Sequence, residues 1–252
     1  MEHMTTFDRA LVEKYDRPGP RYTSYPTAPQ FHTLFVEDNY RAAAVRSNQA
    51  PAKPISLYIH IPFCKSLCYY CACNKIITQK TSRAVEYLDY LKQEIRMQAA
   101  LFDRSRKVTQ LHFGGGTPTY LTQEQLADLM QCLGEAFTLD DSDERQFSME
   151  VDPRTISPDQ LKNLRQLGFN RLSFGVQDFD PDVQAAVNRV QSEEQVAELI
   201  HAAREYGFRA TSVDLIYGLP LQTVDSFNTT LDKIIALRPD RISAYSYAHL
   251  PH

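Results

Sequence analysis

Apolar and polar positions alternate along most of this chain with one of two periods. In Ser56-Leu57-Tyr58-Ile59-His60-Ile61, the apolar Leu57, Ile59 and Ile61 fall on one face. Tyr58 and His60 fall on the other, and that period of two predicts a strand. Further strands are predicted at 108–113, 146–151, 170–174, 211–217 and 240–245. Between them the period becomes helical, near 84–102, 123–136, 158–167, 182–206 in two pieces, and 224–236. Thr122-x-x-Gln125, Ser157-x-x-Gln160 and Ser192-x-x-Gln195 fit capping boxes at helix starts. Pro158 and Pro181 suit first helical positions, and Gly168 and Gly207 suit left-handed C-terminal caps.

Strands alternating with helices predict an α/β fold with a mostly parallel sheet. Right-handed crossovers either curl six such strands into a partial (β/α)6 barrel or lay them out as an open sheet. In both cases the active site belongs at the carboxyl ends of the strands. Residues 1–50 differ: Arg17-Pro18-Gly19-Pro20-Arg21-Tyr22-Thr23-Ser24-Tyr25-Pro26 cannot form a continuous helix. The expected organisation is an irregular N-terminal arm over 1–50, with a short helical pattern on each side of this segment, and an α/β core over 51–252.

With 252 residues, 43% hydrophobic and 23% charged, the chain can bury a substantial core. A formal net charge of −4 argues against a nucleic-acid binder. No apolar run approaches the roughly 18 residues of a membrane helix. The first residues lack the basic-then-apolar pattern of a signal peptide. The expected compartment is the cytoplasm, with no nucleic-acid or membrane partner, and the chain is expected to be a monomer.

Composition changes the picture most at cysteine. Four of the five cysteines, Cys64, Cys68, Cys71 and Cys73, fall within ten residues. Clustered cysteines in a cytosolic chain read as metal ligands before disulfides. Cys132, alone in a helical pattern, reads as a small buried hydrophobe. The C-x3-C-x2-C spacing of Cys64, Cys68 and Cys71 places three thiolates on one loop directly after the first strand. Three thiolates fill three corners of a cubane cluster and leave one iron open to a small molecule. A zinc site using all four cysteines is the alternative. Its usual form has two separated pairs, which the crowded spacing does not provide.

Other strand ends also carry chemistry. Gly114-Gly115-Gly116-Thr117-Pro118-Thr119 follows the second strand and allows either close approach to a ligand or a plain tight turn. No Lys-Ser/Thr follows, so it is not a Walker loop. Glu150 and Asp152 share a face at the third strand end, as ligand-holding acids or as ordinary loop acids. Asp214 sits within an apolar strand, where a buried acid needs a partner or a ligand.

The cysteine spacing resembles the signature of the radical S-adenosylmethionine (SAM) superfamily. The resemblance implies a partial (β/α)6 barrel of the radical SAM type and a [4Fe–4S] cluster on Cys64, Cys68 and Cys71, with SAM on the open iron. One electron then breaks the C5′–S bond and gives a 5′-deoxyadenosyl radical. The phrases Pro18-Gly19-Pro20-Arg21-Tyr22-Thr23-Ser24-Tyr25-Pro26-Thr27, Tyr58-Ile59-His60-Ile61-Pro62-Phe63-Cys64 and Cys71-Ala72-Cys73-Asn74-Lys75 narrow it further. So do Glu150-Val151-Asp152-Pro153, Gly175-Val176-Gln177-Asp178, Asp214-Leu215-Ile216-Tyr217-Gly218-Leu219-Pro220 and Tyr247-Ala248-His249-Leu250-Pro251. Together they resemble the oxygen-independent coproporphyrinogen III oxidase family, whose substrate coproporphyrinogen III loses CO2 from two propionates to give vinyl groups.

That family is described as holding two SAM molecules. By resemblance, Tyr58, Gly115 and Glu150 contact the cluster-bound SAM. Tyr70, Gly116, Thr117, Gln177, Arg189, Asp214 and Ala248 contact the second. Tyr58, Cys73 and Arg21 are the catalytic candidates, with the role of Cys73 open. The implied electron donor is a flavodoxin-type protein. A related haem-chaperone family is described as lacking the Cys-x-Cys-Asn feature that Cys71-Ala72-Cys73-Asn74 supplies. The zinc-stabilised module is the other rival. The family continues beyond the position of His252 with a mostly helical region, so this chain is expected to lack that domain, to be poorly soluble and to turn over weakly alone.

A tetracarboxylate substrate calls for basic residues near its site, and Arg17 and Arg21 are candidates on charge. Arg21→Ala is expected to raise KM for coproporphyrinogen III and leave SAM cleavage intact. Steady-state kinetics beside a 5′-deoxyadenosine assay measure both.

Overall fold

The computed structural model describes residues 7–17, 26–49 and 53–248. The chain divides into two compact units, Met1–Ala43 and Ala44–His252. In the first, helix α1 (Arg9–Tyr15) starts at Asp8, whose carboxylate accepts from the Leu11 N–H at 3.0 Å. Helix α2 (Glu37–Ser47) runs across the division. Most of the proline-rich segment, Pro18–Tyr25 with Arg21 among it, lies outside the described residues.

In chain order the second unit continues with β1 (Ile55–Ile61), β2 (Phe63–Cys64), β3 (Ile76–Ile77), α3 (Ser82–Ala99), β4 (Lys107–Gly115), α4 (Gln123–Ala136) and β5 (Thr138–Leu139). Then come β6 (Gln146–Val151), α5 (Pro158–Gln166), β7 (Arg171–Gln177), α6 (Pro181–Ala186), α7 (Glu193–Glu205), β8 (Ala210–Tyr217), α8 (Val224–Leu237) and β9 (Arg241–Ser246). The main sheet runs β1-β4-β6-β7-β8-β9, with β5 extending it beside β4. Every pair in it is parallel. The sheet does not close on itself, since β1 and β9 end the order without pairing to each other, which is as true of a partial barrel as of a flat sheet. This is the α/β fold with a mostly parallel sheet that the alternating periods predict.

The six predicted strands all form, with bounds within three residues of those expected. Short β2, β3 and β5 were not anticipated, because two-residue strands carry no period to detect. Helix starts follow their caps. Thr122 and Gln125 make the reciprocal box at α4, and Gly168 and Gly207 have φ of +101° and +76°. Ser192 is a partial exception. Its hydroxyl accepts from the Gln195 N–H at 3.1 Å, but the Gln195 side chain turns away and donates to Pro153 O at 2.8 Å. The longer tie outcompetes the local one.

The two faces of the sheet differ in chemistry. Toward the helices, Ile59, Ile61, Leu111, Phe113, Met149, Val151, Leu172, Phe174, Val213 and Leu215 are buried. They join Leu88, Leu126, Leu133, Leu161, Leu164, Val196, Ile200 and Ile234 of the helices in one core. Cys132 of α4 lies in that core, as a small hydrophobe would. The opposite face carries Tyr58, His60, His112, Ser148, Glu150, Ser173 and Asp214. Tyr58 stands level with His112, and His112 with Ser148, across adjacent strands. A parallel sheet covered on both faces by apolar layers reads as near-continuous hydrophobic runs. Alternation survives here because one face lines a polar hollow. Among the described residues no helix is long and apolar enough to cross a membrane.

Phe113 is fully buried and meets Phe169 edge-on, with ring centroids 5.1 Å apart. Removing such a ring leaves a cavity as well as losing transfer free energy. Phe113→Ala is expected to destabilise the fold by about 3–5 kcal/mol, measured from the urea midpoint followed by circular dichroism.

Candidate functional site

The loop after β1 is fixed at both ends. Phe63 pairs with Ile76, and Cys64 with Ile77, in the small parallel sheet. The Ile76 and Thr78 N–H groups donate to Pro62 O and Cys64 O at 2.7 and 2.9 Å. Lys75 Nζ donates to Cys71 O at 2.7 Å, closing the turn from inside. The far side is tied to the α6–α7 connection: Tyr69 N–H donates to Val187 O at 3.0 Å, and Asn188 Nδ2 to Leu67 O at 2.7 Å.

Beside it, the glycine run zips onto the end of β1. The Gly116 and Thr117 N–H groups donate to Ile61 O and Phe63 O at 2.8 and 2.9 Å. A Cβ on Gly116 would lie 2.7 Å from backbone atoms of Pro62, so only glycine allows that approach. Gly115 has φ +114° and its Cβ would strike the His60 ring. A Cβ on Gly114 would lie 2.8 Å from Glu150 Oε1. Protein atoms thus use part of the close approach that the glycines allow, while Gly115 and Gly116 also face the cavity at the strand ends.

These segments and the other strand ends surround one cavity of about 530 Å³. Cys64, Cys68, Cys71, Cys73, Tyr70, Gly115, Gly116, Thr117, Glu150, Gln177, Arg189 and Asp214 all line it. Tyr58 is not on its wall but stacks on His112 at 5.7 Å, and His112 Nε2 lies 3.3 Å from Glu150 Oε1. Glu150 also accepts the Gly115 N–H at 3.1 Å. Tyr58, Gly115 and Glu150 thus form one contiguous group on the sheet's polar face. Ala248 is exposed and not part of the wall.

Gln177 ends β7 at φ +70°, beyond a register shift between Gly175 and Gln177. A bulge with a left-handed non-glycine residue re-aims a strand end and is stored strain of the kind found at functional sites. Asp214 accepts from Ser173 Oγ at 3.1 Å. Burial pushes its carboxyl up, Ser173 and Ser243 pull it back, and Glu150 adds to the push.

The thiols differ in their surroundings. Thr117 Oγ1 donates to Cys64 Sγ at 3.3 Å. Burial pushes the Cys64 thiol up, and the Thr117 hydroxyl opposes it. A hydrogen bond from the Cys73 thiol pulls Cys71 down, with Lys75 helping, while the same contact pushes Cys73 up. Cys68 is buried beside two guanidiniums, with Arg189 Nη1 at 3.5 Å and Arg154 Nη2 at 3.6 Å from Sγ. Asp152 joins those arginines, at 2.7 Å from Arg154 Nη2 and 3.2 Å from Arg189 Nη1. Burial pushes the Asp152 carboxyl up, but both arginines outweigh it and hold it low. Arg189 Nη2 donates to Gly175 O at 2.6 Å, and its buried Nε has no partner among the described residues.

Sequence reasoning missed Arg154, His60 and His112. The signals were present. His60 and His112 share the strand parity of Tyr58, and Arg154 follows Asp152-Pro153 directly after a strand. Among the described residues no three His, Cys, Asp or Glu groups converge as a single-ion site requires. Thiolates that each hold a different iron of a cubane need no such convergence. Three cysteines on one wall, hydrogen-bond donors at their sulfurs and an orphaned buried Arg189 Nε fit a cluster with a polar ligand beside it.

Asp214 yields a pH-dependent prediction. Its folded pKa is raised above the unfolded value of about 3.9. Well below that value both states are protonated and Asp214→Asn is neutral. As pH rises through the folded value, ionisation costs the folded state, and Asn avoids that cost. Asp214→Asn is expected to raise Tm at pH 7 and to have no effect near pH 3, read from thermal melts across that range.

The profile of the Radical SAM superfamily matches residues 58–234. The chain is 52% identical over 250 residues to the oxygen-independent coproporphyrinogen III oxidase of Salmonella typhimurium, covering 99% of this chain and 53% of that protein. Identity to the enzyme of the same name from Pseudomonas aeruginosa is 49% over 245 residues, 97% of this chain and 53% of the relative. The chain spans about half the length of these curated relatives. The solved coproporphyrinogen III oxidase (HemN) of Escherichia coli, a radical SAM enzyme, superposes with a TM-score of 0.88 at 51% identity. That match covers 98% of this chain and 54% of that structure. A radical SAM methyltransferase from Kitasatospora setae, 13% identical with a TM-score of 0.53 over 76% of this chain and 36% of that structure, shares the fold.

Proposed function

This chain belongs to the radical SAM superfamily, and we propose that it is the cluster- and SAM-binding core of an oxygen-independent coproporphyrinogen III oxidase. The observation that carries this reading is the single cavity in which the three C-x3-C-x2-C thiols meet the ends of β4, β6, β7 and β8. The relatives named above are oxidases, which supports this reading over the haem-chaperone and zinc-module alternatives.

Cys64, Cys68 and Cys71 would hold three irons of a [4Fe–4S] cluster. When bound, the cluster supplies one electron and SAM supplies the carbon that abstracts hydrogen from a substrate propionate. The protein's task is orientation and exclusion of water. Glu150, held by Gly115 N–H and His112, has acceptor capacity left for an ammonium group. Tyr58 offers a ring face to a sulfonium, in the manner of a cation–π contact. Asp214 and Gln177 present polar groups from the next two strand ends, with Gly116, Thr117 and Tyr70 completing the wall. Arg189 spends its terminal nitrogens on Asp152, Cys68 and Gly175, which leaves Nε as its free donor.

The finer proposal follows the family pattern. Tyr58, Gly115 and Glu150 serve the first SAM, and Tyr70, Gly116, Thr117, Gln177, Arg189, Asp214 and Ala248 a second. Two decarboxylations consume two SAM. Coproporphyrinogen III is the proposed substrate, a low-potential protein of the flavodoxin type the electron donor, and the monomer the proposed state. Arg21 is the proposed basic contact to the substrate. Cys73, at the cavity wall with its thiol against Cys71, is a catalytic candidate.

Anaerobic reconstitution tests the core of this reading. About four irons per chain and 5′-deoxyadenosine on adding dithionite and SAM are expected. Cys64→Ala is expected to lose both. A colourless chain with one bound zinc would overturn the reading.

A further inference from the structure

The three cluster cysteines are not equivalent in their neighbours. Cys64 receives a hydroxyl from Thr117, and Cys71 has one cation beside it, the Lys75 ammonium, which also donates to the Cys71 and Cys73 carbonyls. Cys68, the buried one of the three, has two guanidiniums at hydrogen-bond distance from its Sγ. Asp152 supplies one negative charge against the two of Arg154 and Arg189. The triad therefore has a surplus positive charge, and its unpaired side is turned toward Cys68 Sγ.

Arg154 is held in that position from several directions. It lies on the short turn Pro153–Thr155 after β6, with the Asp152 carboxylate accepting its own N–H at 3.1 Å. Asp152 also accepts from Arg154 Nε at 3.0 Å. Thr155 Oγ1 donates to Asp152 O at 2.9 Å and lies 2.6 Å from Thr119 Oγ1. Gln195 grips Pro153 O from α7. A side chain so fixed keeps its donor aimed when charge appears on the sulfur.

We propose that Arg154 tunes the reduction potential of the cluster through its N–H···S contact to Cys68, a positioning role beyond the ligand and SAM sets. The proposal rests on the reading of Cys68 as a cluster ligand. Hydrogen bonds to cluster sulfurs help set the potential. One-electron reduction adds negative charge that the iron and its thiolates share. A guanidinium at Cys68 stabilises that added charge and raises the potential, so a low-potential one-electron donor can fill the site. With Arg189 buried against the same sulfur, Arg154 is the more accessible half of the pair (side-chain exposures of 21% and 8%).

The test uses the full chain, reconstituted anaerobically, with iron counted and the cluster titrated with dithionite under redox mediators while EPR reports the reduced form. Arg154→Gln is expected to keep its iron. At the wild-type midpoint its reduced-to-oxidised ratio should fall about tenfold, which is ~59 mV for one electron. Arg154→Lys, which keeps the charge but loses the fork, should fall between. A wild-type midpoint in an iron-loaded Arg154→Gln chain overturns the proposal. If that variant loses iron, Arg154→Lys decides, a lowered midpoint supporting the proposal and an unchanged one overturning it. Loss of iron from both, with native circular dichroism, also overturns it and makes Arg154 an assembly residue. A Cys68→Ala chain that keeps about four irons would instead refute the ligand reading beneath it.

Discussion

All pairings in the main sheet are parallel, and the rest of the molecule depends on that constraint. Parallel neighbours bring every strand's carboxyl end to the same edge, so each following loop must begin there. The cysteine loop, the glycine run, the Asp152 turn, the Gln177 bulge and Asp214 are distant in sequence yet meet at one cavity. No single loop builds the site. The cost is that each loop must be locked by contacts to the next. The backbone bonds from Gly116 and Thr117 to the end of β1, and from Tyr69 to Val187, are such locks.

A second constraint is the division of labour between the faces of the sheet. One face supplies the apolar core, so stability comes from residues such as Phe113 and Leu172 that never meet the cavity. The other face is free to carry histidines, serines and acids. Asp214 illustrates the consequence, since burial raises its carboxyl and the fold gains little from it. Its neighbours Ser173 and Ser243 reduce that penalty without removing it. Residues kept at a cost to the fold are where chemistry is to be sought.

Much of this was legible in the sequence because it is periodic or clustered. Alternation in 56–61 located β1 and assigned Tyr58 and His60 to a shared face. The cysteine spacing marked the loop, position at strand ends marked Gly115 and Glu150, and an acid within an apolar strand marked Asp214. Contacts between loops were not legible, since no local pattern encodes them. Arg154 is two residues from Asp152, yet only the fold brings it 3.6 Å from Cys68. Ser192-x-x-Gln195 looked like a closed capping box, but a carbonyl 42 positions away took the glutamine. The glycine run was ambiguous between ligand approach and tight turn for the same reason. What fills the space beside a missing Cβ is a tertiary question.

The charges around Cys68 make sense only when the sulfur is counted with them. Burying Asp152 with Arg154 and Arg189 is expensive, and replacing such a set by well-packed apolar side chains is often neutral or stabilising. Stability alone therefore does not account for the triad. Two cations against one anion would also leave an uncompensated buried charge, the costlier arrangement. On the proposed reading of Cys68 as a cluster ligand, its sulfur would share the negative charge of the cluster and offset that surplus. On that reading the triad and the cysteine loop are parts of one electrostatic unit, built by the turn after β6, the α6–α7 connection and the loop after β1. That dependence also orders the loops: Asp152 fixes both arginines, the arginines face Cys68, and Cys68 lies at the centre of the cysteine spacing.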